Sequence, residues 1–129
     1  TPFYLLRGDR PLRAMIEVDD NPLQKVALAL LGPIRVRAYA FEEMFFLEQA
    51  RRVREAVRMP LVLLGGVVSA DNLAAAMREG FELVAMGRAL IADPDLVNAI
   101  RDGRAHRTRC THCNLCVVEM DRGGVRCVL

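Results

Sequence analysis

The chain has 129 residues, of which 53% are hydrophobic and 26% charged, and its formal net charge is +2. This composition is that of an ordinary globular domain. Its net charge is small and its charged residues are dispersed, which gives no reason to expect nucleic-acid binding. No apolar run reaches the roughly 18 residues that a membrane helix needs. No signal-peptide pattern precedes the domain, which starts at Thr1 as a partial chain would, and we expect a cytoplasmic location.

Residues 1–40 are predicted to form a loop-rich segment with two short helices. Proline recurs through this stretch and makes long elements unfavourable. A short helix fits residues 12–18. A second fits residues 22–31, because Asn21 can cap it and Pro22 suits its first position.

Residues 41–105 alternate between helical and strand patterns. Helices are expected over residues 41–58, 71–79 and 94–102, and strands over residues 61–64 and 83–86. Ser69 and Asp93 are predicted N-caps, with Pro94 opening the last helix, and Gly80 is predicted to end the middle one. Both strands are uninterrupted apolar runs, which is typical of strands buried on both faces.

This alternation predicts βαβ units on a parallel sheet and therefore an α/β fold. Two parallel strands do not make a stable sheet by themselves, and a complete (β/α)8 barrel needs about 250 residues. The chain is therefore expected to be part of a larger fold. A small two-stranded domain completed by oligomerisation is the competing interpretation.

Each predicted strand is followed by glycine and then by a helix start. Gly65 and Gly66 follow the first strand, and Gly87 follows the second. Without a Cβ atom these positions let a ligand approach the main chain closely. Arg88 adds a planar cation suited to phosphate oxygens. Two such loops one βαβ unit apart predict a phosphate site rather than two tight turns.

The segment LVLLGGVVSADNLAAAMREGFELVAMGRALIADPDLVNAIRDG and the following CTHCNLC resemble the end of the barrel in the old yellow enzyme family, the NADH:flavin oxidoreductases. The resemblance implies the last two βα units of a TIM (β/α)8 barrel, about strands 7–8, with a cysteine-containing extension. It further implies that Gly65, Gly66, Gly87 and Arg88 hold the FMN phosphate. NAD(P)H would reduce the flavin, which would reduce an activated alkene such as an enone or enoyl thioester.

In that family the substrate-binding and flavin-ring contacts come from earlier strands. The resemblance therefore assigns no catalytic residue to this chain, which by itself is expected to be inactive. We expect it to need the remaining barrel half and to form a homo-oligomer. Two alternatives stay open: a piece of another phosphate-binding barrel enzyme, and a non-catalytic four-cysteine metal-binding module.

Residues 106–129 form a cysteine-rich segment with the spacing C-x2-C-x2-C, then ten residues and a fourth cysteine. The four residues are Cys110, Cys113, Cys116 and Cys127. Four thiolates can bind a [4Fe–4S] cluster or a structural zinc ion, and reduced thiols without metal are the third possibility. The dienoyl-CoA reductase branch of the resembled family carries a [4Fe–4S] cluster here. In that branch the second and third gaps between cysteines are three and eleven residues, each one residue longer than in this chain.

Overall fold

A computed structural model describes residues 3–129, and side-chain environments from residue 4 onward. The described chain divides into two compact units, residues 3–41 with 111–129, and residues 42–110. No helix in this described part is both long and apolar enough to cross a membrane.

The helices and strands are given in chain order, each with its bounds. They are α1 (Phe3–Leu6), α2 (Leu12–Val18), α3 (Pro22–Arg35), α4 (Leu47–Ala56), β1 (Val62–Leu64), α5 (Ala70–Arg78), β2 (Leu83–Ala85), α6 (Arg88–Ala92), α7 (Leu96–Arg101), α8 (Leu115–Val118) and a 3₁₀ helix (Glu119–Arg122). The first unit is thus helical, and the second unit carries the sheet.

In the first unit, α2 has the bounds that the sequence predicted, and α3 begins as predicted. The Asn21 side chain accepts hydrogen bonds from the backbone N–H groups of Leu23 and Gln24, at 2.9 and 3.4 Å. However, α3 continues to Arg35, past its expected end. The Arg10 guanidinium donates to the carbonyls of Pro33 and Val36, at 3.1 and 2.8 Å, and so satisfies acceptors at this helix end.

In the second unit, β1 and β2 form a two-stranded parallel sheet, as predicted. A core of Leu63, Ala76 and Phe81 packs with residues of α4 on one face. The expectation that both strands are buried on both faces is wrong for this chain. Val62 and Leu83 are 49% and 58% exposed, because α4 and α5 cover only one face of the sheet.

Three further expectations for the second unit can be compared with the structure. Ser69 caps α5, since its hydroxyl accepts the N–H of Asn72 at 3.3 Å. Gly80 follows α5 in the left-handed conformation, with a φ of +82°. Both predictions are confirmed. The helix expected from residue 41 instead begins at Leu47, because Met44 has a φ of 51° that no helix accommodates.

The helix expected over residues 94–102 begins later than predicted. Residues 88–92 already form α6, and Asp93 ends that helix instead of capping the next one. Its carboxylate accepts hydrogen bonds from the Thr108 hydroxyl and the Arg109 backbone N–H, at 2.5 and 2.8 Å. Helix α7 follows Asp95 and begins at Leu96.

Candidate phosphate-binding site

The two glycine loops follow the carboxyl ends of β1 and β2. The register of the sheet ends with Leu64 opposite Ala85. Gly66 and Gly87 each lie two residues beyond that pair, so the parallel strands deliver both loops to the same edge of the sheet. Open α/β sheets and barrels bind ligands at this edge.

The first loop needs glycine for reasons internal to the chain. Gly65 and Gly66 have φ angles of +98° and +78°, which side chains strongly disfavour. A Cβ atom on Gly65 would lie 2.6 Å from the ring of Phe46, and one on Gly66 would lie 2.6 Å from the carbonyl oxygen of Glu42. The Gly66 carbonyl also accepts the N–H of Met44 at 3.0 Å. Close packing of residues 42–46 therefore explains this doublet without any ligand.

Asn72 fixes the continuation of this loop. Its buried side-chain oxygen accepts the N–H of Val68 at 3.0 Å, and its side-chain nitrogen donates to the Glu43 carboxylate at 2.7 Å. Arg107 pairs with the same carboxylate. The hydrogen bond from Asn72, assisted by Arg107, lowers the pKa of Glu43. We call Glu43, Asn72 and Arg107 the loop clamp.

Sequence reasoning missed the loop clamp. The position of Asn72, three residues after the capping Ser69, was a local signal that its side chain could bond to nearby backbone. No local pattern pointed to Glu43 or Arg107, which come from the turn before α4 and from the segment after α7.

The second loop is open. Gly87 is exposed, its φ is −94°, and no heavy atom outside its two chain neighbours lies within 4 Å of where its Cβ would be. Its carbonyl accepts the N–H groups of Leu90 and Ile91, at 2.9 and 3.2 Å, and so starts α6. Arg88 is the first residue of α6 and is half-buried. An arginine next to this open glycine could pair with the oxygens of a phosphate group.

The segment after α7 is tied to the end of α6. The carboxylate of Asp93 forms an ion pair with the Arg109 side chain at 3.0 Å, in addition to its bonds with the Thr108 hydroxyl and the Arg109 backbone. The Thr108 hydroxyl also accepts the N–H of Cys110 at 3.2 Å. Asp93 thus anchors the first candidate metal ligand to the second unit.

In the first unit, Cys113 lies between two residues with left-handed backbone, His112 and Asn114, each with a φ of 61°. The Asn114 side chain donates to the carbonyl of Asp9 at 2.8 Å, and the N–H of Asp9 donates to the carbonyl of His112 at 3.0 Å. The His112 ring stacks on Phe41, with centroids 3.4 Å apart. These contacts fix the turn that carries Cys113.

Glu119 holds the C-terminal part of the first unit. This carboxylate is only 3% exposed and accepts hydrogen bonds from Arg122 and Arg126, at 2.8 and 2.7 Å. The bonds from Arg126 and Arg122 lower the pKa of Glu119. Since Arg126 directly precedes Cys127, its ion pair with Glu119 holds the chain next to the last cysteine against the 3₁₀ helix.

The four cysteines do not form a metal centre in this structure. Each is a half-buried thiol without a disulfide bond. Throughout residues 3–129, no three His, Cys, Asp or Glu side chains are grouped so that they could hold one metal ion. Cys110 belongs to the second unit, and the other three cysteines belong to the first.

One family model and several known proteins match parts of this chain. The model of the NADH:flavin oxidoreductase / NADH oxidase family matches residues 12–107. A 4,4'-dithiodibutanoate disulfide reductase of Rhodococcus erythropolis is 43% identical over 126 residues, which are 98% of this chain and 31% of that protein. A bilirubin reductase of Mediterraneibacter gnavus is 34% identical over 73 residues, 56% of this chain and 11% of the relative.

A relative with different chemistry covers a shorter stretch. The imidazole glycerol phosphate synthase subunit HisF of Hyphomonas neptunium is 45% identical over 53 residues, 41% of this chain and 21% of that subunit. No solved structure gives a significant match. The chain spans less than a third of the length of each of these three relatives.

Proposed function

We propose, since this chain belongs to the NADH:flavin oxidoreductase / NADH oxidase family, that it supplies the phosphate anchor for FMN in an NAD(P)H-dependent oxidoreductase. The observation that carries the proposal is the open Gly87–Arg88 loop, which follows its strand at the same sheet edge as the Gly65–Gly66 loop. The guanidinium of Arg88 would bind phosphate oxygens, and the missing Cβ of Gly87 would leave room for them.

The reaction is proposed from the family and not from residues of this chain. When bound, FMN supplies the hydride chemistry. The residues here would bind the cofactor's phosphate, and Asn72 and Glu43 would hold the first loop in place. Groups that contact the flavin ring and the substrate would come from polypeptide other than these 129 residues, so we assign none of these residues a catalytic role.

The exposed sheet surface supports the proposal that this chain forms the end of a TIM barrel. A groove of about 310 Å³ lies between α4 and β1, and its apolar walls include Ala50, Val53 and Val62. Leu64 and Leu83, 51% and 58% exposed, leave more of the sheet uncovered. In a closed barrel, neighbouring strands and inward-facing side chains would cover these surfaces.

The electron acceptor is proposed as an activated alkene. A second candidate acceptor is an organic disulfide, because the relative that matches 98% of this chain is named a disulfide reductase. A non-flavin alternative, another barrel enzyme that binds a phosphorylated ligand, is favoured only by the shorter match to the imidazole glycerol phosphate synthase subunit.

A [4Fe–4S] cluster stays a prediction based on cysteine spacing. The placed thiols do not fit one as they stand, since no ligand group is assembled among the described residues. We therefore assign the cysteines no step in the proposed reaction.

The test compares FMN with riboflavin, which lacks the phosphate. Titration of the 129-residue chain followed by flavin fluorescence should give tighter binding of FMN than of riboflavin. Arg88→Ala should weaken FMN binding by about tenfold or more, as expected for a lost charge-assisted hydrogen bond, and should leave riboflavin binding unchanged. Arg58→Ala, which removes an exposed arginine elsewhere in the same unit, is the matched control.

Two results would contradict the phosphate anchor. One is equal affinity of the unaltered chain for FMN and riboflavin. The other is an equal loss of FMN binding in the Arg88→Ala and Arg58→Ala variants, because the effect would then be one of general surface charge.

A further inference from the structure

A short segment after α7 pairs with the backbone that follows the first glycine loop. The N–H of Ala70 donates to the carbonyl of His106 at 2.8 Å. The N–H of Thr108 donates to the carbonyl of Val68 at 2.9 Å. These two bonds flank an antiparallel bridge. Residues 106–109, which we call the strap, therefore run like a short strand beside the chain between the first loop and α5.

The strap also bonds to α6, the helix that follows the second glycine loop. The buried Thr108 hydroxyl donates to the Asp93 carboxylate at 2.5 Å and lies 3.3 Å from the carbonyl oxygen of Ala89. The Arg109 guanidinium donates two N–H groups to the carbonyl of Ala92, at 3.0 and 2.7 Å. Carbonyl groups at the end of a helix have no partner within the helix, and the strap supplies donors for them.

The strap thereby joins the two glycine loops outside the sheet. The pairing of β1 with β2 ends before either loop, so the hydrogen bonds of the sheet do not reach Arg88. Helix α6 begins with Arg88 and has only five residues, and so short a helix gains little stability from its own backbone bonds. Its direction relative to the first loop therefore depends on Thr108, which bonds to Val68 through its backbone and to Asp93 through its hydroxyl.

We propose that the strap sets the direction of Arg88 towards the FMN phosphate, with Thr108 as its positioning residue. This inference rests on the proposed function of the two loops. Thr108 is buried and bonds to protein groups, so it acts through Arg88 and not by contact with the ligand. A guanidinium must keep its direction to make paired bonds with phosphate oxygens. A shift of α6 should therefore weaken binding of the phosphate and leave binding of the rest of the flavin unchanged.

The first experiment removes the Thr108 hydroxyl. Thr108→Val, which has nearly the shape of threonine, should weaken FMN binding about fivefold or more in the flavin fluorescence titration and leave riboflavin binding unchanged. Thr108→Ser keeps the hydroxyl and should bind FMN as the unaltered chain does. Thr111→Val makes the same change at an exposed threonine outside the strap and is the matched control.

The second experiment tests whether Thr108 acts through Arg88. In a chain that already carries Arg88→Ala, the further change Thr108→Val should weaken FMN binding little or not at all, because no guanidinium remains to be positioned. A role in general stability would instead lower the affinity for both flavins, with and without Arg88.

A third variant keeps the proposal testable if Thr108→Val does not fold, which circular dichroism shows. Arg109→Ala removes the other attachment of the strap to α6, and its side chain is 64% exposed, so the core is not disturbed. We expect it to weaken FMN binding about threefold and to leave riboflavin binding unchanged.

The outcomes separate this inference from the phosphate anchor. If the unaltered chain prefers FMN, Arg88→Ala removes that preference, and the folded strap variants retain it, the positioning role is overturned and the anchor stands. A parallel loss of FMN and riboflavin binding in the strap variants also overturns the positioning role alone. Equal affinity of the unaltered chain for the two flavins overturns both proposals.

Discussion

The two glycine loops follow equivalent strand ends but use glycine for different reasons. Gly66 is enclosed, since its Cβ position would meet the backbone of Glu42 and Met44 at 2.6 and 2.8 Å. Gly87 has open space at the corresponding position. The first glycine is thus required by the fold and the second is available to a ligand. A glycine motif in a sequence does not distinguish these two cases, because both remove the same Cβ atom.

The same contrast applies to what supports each loop. The first loop is held by the loop clamp, in which Asn72 bonds to both Val68 and Glu43. The second loop runs directly into α6, whose far end is held by Asp93 and Thr108. The first loop is therefore closely packed and held by side-chain hydrogen bonds. The second loop contributes Arg88 and the open position at Gly87. Stability and binding should respond separately to mutation in the two loops.

The largest expected effect is on Gly66. Gly66→Ala should reduce the free energy of unfolding by about 3 kcal/mol, because the new methyl group meets backbone atoms and the backbone is left-handed. Urea denaturation monitored by circular dichroism measures it. Gly87→Ala is the matched control and should cost no more than about 1 kcal/mol, because its Cβ position is open. Equal losses in the two variants would remove the distinction between the loops.

A smaller effect is expected at the loop clamp. Asn72→Ala should reduce the free energy of unfolding by about 2 kcal/mol, because it leaves the buried N–H of Val68 without an acceptor. Asn98→Ala removes an exposed side chain that bonds only to Asp95 and should cost about 0.5 kcal/mol or less. If the two variants unfold at the same urea concentration, the clamp does not stabilise the first loop.

The smallest effect concerns pH. The folded structure lowers the pKa of Glu43 below its ordinary value of 4.5. The stability that this carboxylate contributes is therefore present above that value and is lost as pH falls below it through the folded-state pKa. Urea midpoints measured between about pH 7 and about pH 3 should decline less in Glu43→Gln than in the unaltered chain.

Other carboxylates contribute to the same acid dependence, so a control is needed. The pKa values of Glu79 and Glu119 are also lowered, by Arg51 and by Arg126 with Arg122. Glu55→Gln removes an exposed carboxylate outside these pairings and should leave the decline as it is. A decline that is identical in the Glu43 and Glu55 variants would show that the clamp does not sense pH.

Much of the local structure could be predicted. The α2 helix, the Asn21 and Ser69 caps and the left-handed Gly80 were all found from neighbouring residues, because helix ends are satisfied within about one turn. The resemblance to NADH:flavin oxidoreductases is confirmed by the family match over residues 12–107. The role of Asp93 was misjudged because its carboxylate could accept N–H groups of the following helix or of residues 108–109. Only the following helix is near it in sequence, but residues 108–109 are its partners in the structure.

The sequence alone determined the Asn21 and Ser69 caps, the parallel pairing of the two strands and the positions of the glycine loops, because each depends on short-range pattern. Tertiary structure decided how each loop is packed and supported. Asn72 and Glu43 are 29 residues apart, Arg107 and Glu43 are 64 residues apart, and Thr108 meets Asp93 across 15 residues. Such partners are chosen by packing of the folded chain. Only that packing closes the space beside Gly66 and leaves it open beside Gly87.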